Sequence, residues 1–359
     1  MGAIGKYAAI AVGVLAVTGI GGYVALPSAA SKSQSISVPR PSAAVFARLS
    51  STPANTQVAP GVTVKRVVSA ENNVVVEEIS FADGGSGRAT YTVRPDGDEA
   101  THVDVKIERN LGANPVDRVQ GLSGAPVASA AAVFFPAVTT DLNALPNASF
   151  AGLAYQVVQA PPQPFFYVQK CTTTEPDSII AIIGEAQASL PGAMRQQHLQ
   201  PIGHLIAVEP RVVPNQYCFQ VGFPFSGPTP RATLYEVGQT PSGTLLHMHY
   251  TGTEQDVVPQ VYDRMDALLA AAHLDDPTTP ADDWATFETY NDDPTQPGGS
   301  RDREIYYVTK GDISRLAAIA PPQTVAPPAA PAAAVTTTTT EEPATTVPAA
   351  TTTETTTTP

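Results

Sequence analysis

"GTLLHMHYTGTEQDVVPQVYDRMDALLAAAHL", residues 243–274, decides how the chain is read. Its first ten residues are strand-like, and "EQDVVPQVYDRMDALLAAA" after them has the spacing of an amphipathic helix. Two further strands follow, "WATFETYN" at 284–291 and "REIYYVTK" at 303–310. The same order lies upstream: strand "PFFYVQKCT", a helix over "EPDSIIAIIGEAQASLPGAMRQQ", then strands "GHLIAVEP" and "QYCFQVGFPF". Phe165 and Thr244 begin matching units, and a duplicated strand–helix–strand–strand unit implies a pseudo-twofold cleft between its halves.

Residues 151–310 resemble the GyrI-like, AraC-type effector-binding domain. The resemblance rests on "HYTG" at 249–252, "VYDRMDALLAAAHL" at 261–274, "FETYNDDP" at 287–294 and the final "REIYYVTK". It implies that a strand glutamate of the second repeat, Glu288, faces a ligand in an aromatic-lined cleft, often a lipophilic cation. Alternation places Thr286, Glu288 and Tyr290 on one face of the strand and Ala285, Phe287 and Thr289 on the other. A carboxylate beside ring faces suits a cation with an apolar body, because desolvation strengthens the attraction and the rings add cation–π contacts. Tyr167, Tyr250, Trp284, Tyr290 and Tyr306 are the expected walls. Glu209, the first-repeat counterpart, is followed by Pro210 and reads as a strand end.

Upstream, "SISVPRPSAAVFARLSS" reads as a strand and then a helix presenting Val45, Phe46 and Leu49. Four β-rich segments come next, "GVTVKRVVSA", "NNVVVEEISF", "GRATYTVRPD" and "THVDVKIERN", separated by Gly, Asn and Asp turns as in an antiparallel meander. An alanine-rich helix follows, which Pro126 and Pro136 should bend or break. Residues 32–150 thereby resemble a degenerate helix-grip domain of the polyketide cyclase and START-like (SRPBCC) superfamily, with "VPRPSAAVFARLS" as the best local match. An apolar pocket between sheet and helix is that superfamily's device; here the interrupted helix leaves a structural role.

The ends differ in kind. Residues 8–26 carry no charge and as a helix would span about 28 Å, close to the hydrocarbon core of a bilayer. Residues 1–31 are read as a single-pass anchor with Lys6 on the cytoplasmic side, or as a cleaved signal ending at "PSAAS". Both readings export the rest, to a periplasmic or extracellular position. Residues 311–359 are read as a disordered Pro/Thr/Ala-rich tail, since nothing apolar larger than valine occurs after residue 319.

Once Lys6 and the tail's Glu341, Glu342 and Glu354 are set aside, 19 basic residues face 30 acidic ones, which argues against nucleic acid as a partner. Cys171 and Cys218 are either a disulfide, if their strands are neighbours, or two buried thiols. His247 and His249 share a strand face, but no Asp or Glu at matching spacing completes a metal site, so neither metal nor cofactor is expected. No nucleophile elbow or phosphate loop is present.

The expected class is therefore α+β: a membrane helix, a helix-grip-like domain, then the duplicated domain. The expected function is binding of a small amphipathic or cationic molecule by a membrane-anchored, exported protein. The alternatives are a GyrI-like hydrolase of a reactive small molecule, with Glu288 as general base, and a non-binding envelope scaffold.

Overall fold

Residues 29–110 alternate apolar and polar side chains with turn residues between, and this pattern folds into one antiparallel sheet. The strands are β1 (Ala29–Val38), β2 (Thr56–Ala59), β3 (Val62–Glu71), β4 (Val74–Phe81), β5 (Ser86–Pro95) and β6 (Thr101–Asn110), in the spatial order β1-β6-β5-β4-β3-β2. Helix α1 (Ser42–Ser50) links β1 to β2, and α2 (Pro115–Gly121) and α3 (Ala125–Ala144) follow β6. The computed structural model describes residues 27–173, 175–208, 212–213, 216–231, 235–274, 286–293, 301–309 and 312–323. The apolar run 8–26, Glu209, Trp284 and the chain after Gln323 lie outside those residues.

The inward positions Val75, Ile79, Tyr91, Val93, Val105 and Ile107 meet Val127, Ala131, Phe134, Val138 and Leu142, which recur every three to four residues along α3. Contrary to the break expected from its prolines, α3 is continuous over 20 residues. Pro126 lies in the first turn, where no intrahelical donor is lost. Pro136 is exposed, and so is Ala132, so the carbonyl that loses its intrahelical partner lies on the solvent side of the helix. By length and composition α3 could cross a bilayer, yet one face of it is the lid of this core. A hollow of about 250 Å³ opens between α3 and the edge strand β1, lined by Lys32, Gln34, Ala128 and Phe135 among others.

The second sheet is also antiparallel. Its strands are β7 (Gln156–Ala160), β8 (Pro164–Thr172), β9 (Gln200–Pro201), β10 (Leu205–Val208), β11 (Val212–Val213), β12 (Gln216–Ser226), β13 (Glu236–Gln239), β14 (Gly243–Gly252), β15 (Thr286–Tyr290) and β16 (Arg301–Val308). The main order is β13-β8-β12-β10-β15-β16-β14-β7, symmetric about the β10–β15 pair. Helix α4 (Pro176–Gln196) belongs to the first repeat. Helix α5, residues 254–271, belongs to the second. Each repeat's short leading strand crosses to the other repeat: β7 pairs with β14, and β13 with β8. The crossing is closed by Thr240 N–H donating to Gln163 O at 2.9 Å, so separating the repeats breaks pairing at both sheet edges. Cys171 and Cys218 stand directly opposite each other on β8 and β12 and form a disulfide.

Residues up to Gln323 form one compact unit containing both sheets. Helix α1 serves two cores: Val45 and Leu49 enter the first, while Ala44 and Ala47 enter the second beside α5. Arg48 pairs with Asp141 at 2.6 Å and donates to Ala270 O at 2.6 Å, placing a cation at the C-terminal end of α5. His273 faces Arg48 O at 2.8 Å, and burial, then the Arg48 charge, pushes its pKa down to about 4. Residues 312–323, expected to be tail, instead form helix α6 (Ser314–Ile319), whose Leu316 is buried in the second core. The apolar spacing of Ile313, Leu316 and Ile319 is the reason.

Candidate functional site

Strand β15 lies beside the pseudo-twofold axis, with Ala207 of β10 opposite Glu288. Its even-numbered side chains turn toward α4 and α5: Tyr290 packs in the core beneath α4, while the neighbouring Ile305 and Tyr307 of β16 pack beneath α5. Glu288 lies between these two apolar groups with its side chain only 12% exposed.

Each of its oxygens meets a protein donor. Arg303 Nη1 donates to Oε2 at 2.9 Å, and Tyr262 Oη donates to Oε1 at 2.5 Å. The Arg303 side chain is 1% exposed and its guanidinium carbon lies 5.5 Å from the centre of the Tyr290 ring. A carboxylate expected to stand open to a ligand is thus already paired. Neutralisation is the physical reason: either charge buried alone would cost several kcal/mol.

Tyr262 is placed by an irregular turn. Residues Val258–Tyr262 are wound as π-helix, and Asp263 N–H reaches back five residues to Val258 O. Pro259 has no N–H to offer the carbonyl four residues before it, which disfavours regular α-helix there. One turn on, Asp266 accepts from Tyr307 Oη at 3.3 Å, and the Tyr262 and Tyr307 rings are 6.1 Å apart. Asp266 itself is exposed on α5, whereas Glu288 and Arg303 form the enclosed pair.

Tyr250 lies on the same sheet face, buried under α5, with its hydroxyl donating to Thr253 O at 2.9 Å. This accounts for the glycine of "HYTG": a Cβ on Gly252 would fall 2.2 Å from Tyr250 Oη.

Tyr167 and Tyr306, expected beside Glu288, project from the opposite face. Tyr167 stacks on Phe165 at 5.2 Å, and Tyr306 stacks on Phe287 at 4.6 Å and on His247 at 4.8 Å. Burial raises the pKa of both hydroxyls. Their faces follow from register, since Phe287 pairs with Tyr306 and Thr286 with Tyr307; the inward tyrosine of β16 is Tyr307. The structure therefore puts Glu288, Tyr290 and Tyr250 on one sheet face, Tyr290 beside Arg303 and Tyr250 beneath α5, and puts Tyr167 and Tyr306 on the other. Tyr262, Arg303 and Tyr307 complete the inward cluster, and the exposed Asp266 meets it through the Tyr307 hydroxyl. Arg303 was detectable: alternation in "REIYYV" puts an arginine on the face of Ile305 and Tyr307, and such a charge requires a buried acid.

On the outward face, Glu304 accepts from or shares a proton with His247 Nε2 at 2.6 Å and His249 Nδ1 at 3.0 Å. Burial pushes its pKa up, but hydrogen bonds from His247, Asn291 and His249 outweigh this and hold it below the usual carboxylate value.

No protein-family model matches the sequence, and no curated protein does. Solved structures align with parts of the fold. A bacterial transcription-regulation protein from Staphylococcus aureus MU50 is 15% identical over 45% of this chain and 100% of its own, with a TM-score of 0.30. SAV2435, solved with tetraphenylphosphonium bound, is 12% identical over 44% of this chain and 95% of its own, at 0.31. The ZhuI aromatase/cyclase from Streptomyces sp. R1128 is 12% identical over 32% of this chain and 93% of its own, at 0.24. These similarities are too low to carry a functional argument.

Proposed function

We propose that the chain is a membrane-anchored, exported protein that binds a small amphipathic molecule at the Glu288 cluster. The observation that carries this is a carboxylate held 12% exposed among Tyr262, Tyr290 and Tyr307 and paired with the buried Arg303. Packing alone has no use for such a group, because apolar residues of the same shape are as stable or more so. The Arg303 pairing narrows the ligand: a molecule with diffuse positive charge and an apolar body is favoured over a small hard cation, which would have to displace the guanidinium. Export and anchoring rest on the uncharged run at residues 8–26. The hydrolase reading is disfavoured because each Glu288 oxygen already accepts from a protein donor, and a nucleophilic water would have to share an oxygen with Tyr262 or Arg303.

The test is a thermal-shift screen of the full chain against lipophilic cations, tetraphenylphosphonium first, and neutral amphiphiles. Concentration-dependent stabilisation by the cations that weakens in Glu288→Gln supports the reading. No shift with any compound, or equal shifts in the variant, refutes it.

A further inference from the structure

The outward face of the second sheet carries a second polar centre, independent of the Glu288 cluster. Neither strand contains a complete ligand set alone: β14 contributes His247 and His249, and β16 contributes Asp302 and Glu304. Pairing of His249 opposite Glu304 brings them together. His249 Nδ1 lies 3.0 Å from Glu304 Oε1 and 3.6 Å from Asp302 Oδ1, and one ligand atom from each of the three falls within 4.8 Å of the others. Ligands at about 2.0–2.1 Å from a tetrahedral zinc ion stand roughly 3.3–3.4 Å apart, between the two measured separations.

The neighbours orient the set. Thr251 Oγ1 lies 3.2 Å from His249 Nε2 and holds the ring with Nδ1 turned toward the carboxylates, where a metal ion would replace the proton shared between Nδ1 and Glu304. Tyr306 stacks on His247, fixing the ring that contacts the other Glu304 oxygen. Asn291 Nδ2 bridges Asp302 Oδ1 at 3.1 Å and Glu304 Oε1 at 3.0 Å, holding the two acids close despite their repulsion. His249 is 53% exposed and Asp302 45%, so the centre is accessible from solvent and leaves a coordination position for water.

We propose that His249, Asp302 and Glu304 bind one divalent transition-metal ion of the zinc type, with His247 as the positioning partner of Glu304. The imidazole favours zinc, cobalt and nickel over calcium and magnesium, which prefer oxygen alone. The ion would clamp β14 to β16 on the face opposite Glu288.

Isothermal titration of the full chain with zinc chloride, paired with visible absorption on adding cobalt(II), tests this. The expected result is one saturable site per chain and a cobalt ligand-field band, with affinity weakened at least about tenfold in both His249→Gln and Glu304→Gln. His204→Gln, altering an exposed histidine elsewhere, should leave binding unchanged. Melting of the metal-free variants confirms that they are folded. Absence of saturable binding, wild-type affinity in either ligand variant, or equal loss in His204→Gln would overturn the proposal.

Discussion

Each sheet buries one glutamate against a tyrosine hydroxyl, and the two differ in what else answers the acid. In the first sheet Glu77 is 1% exposed, accepts from Tyr91 Oη at 2.8 Å, and Oε1 has no hydrogen-bond partner. Burial pushes its pKa up to about 7, despite the hydrogen bond from Tyr91 and the nearby Thr52 hydroxyl. In the second sheet Glu288 has Tyr262 and, in addition, the buried Arg303. A buried acid without a cation is accommodated by protonation inside a filled core. One with a cation becomes half of an ion pair, and such pairs are weak stabilisers that a protein does not need for packing alone. This contrast is why the functional assignment falls on the second sheet.

The largest expected effect probes that pair. Arg303→Met leaves Glu288 without its cation in a 12% exposed position and should cost about 3–5 kcal/mol in denaturant unfolding. Adding Glu288→Gln should restore most of the loss. A single-variant cost below about 1 kcal/mol would remove the distinction between the two acids.

Next comes the pH dependence of the first core. The Glu77 pKa is higher folded than unfolded, so its contribution is fully present below the unfolded value near 4.5 and is lost as pH rises through about 7. His273 acts in the opposite sense: its depressed value makes stability fall as pH drops from about 6.5 toward 4. Urea unfolding of wild type and Glu77→Gln in parallel between pH 6 and 8.5 therefore isolates the acid as a difference, since His273 contributes equally to both. Across this range wild type should lose about 1–1.5 kcal/mol relative to Glu77→Gln. Matching slopes would mean that Glu77 is not held as a buried acid.

A smaller effect sets the two hydroxyls side by side. Tyr91→Phe should cost about 1–3 kcal/mol because Glu77 has no cation to compensate, whereas Tyr262→Phe should cost nearer 1 kcal/mol because Arg303 remains. Thermal melts giving the reverse order would contradict the comparison.

Much of this was legible in the chain. Alternation between Gly and Asn turns located β3 to β6, and the period-two pattern of "TFETY" put Glu288 with Tyr290. What was hidden depended on which strands become neighbours. Register between β15 and β16 decides that Tyr307 rather than Tyr306 joins the cluster, and a linear spacing rule does not contain it. The same holds for the carboxylates that meet His247 and His249, which come from a strand more than fifty residues away on the chain. Pro136 misled because a proline breaks a helix only where its freed carbonyl has no other partner, and Ala132 faces water.

Calorimetric titration of tetraphenylphosphonium into the wild-type chain, Glu288→Gln and Glu77→Gln, in parallel, is the most direct test. The account predicts saturable binding to wild type, at least about tenfold weaker in Glu288→Gln, where a 1.4 kcal/mol loss is one decade, and unchanged in Glu77→Gln. Equal affinity in Glu288→Gln, or weakening only in Glu77→Gln, would place binding elsewhere and contradict it.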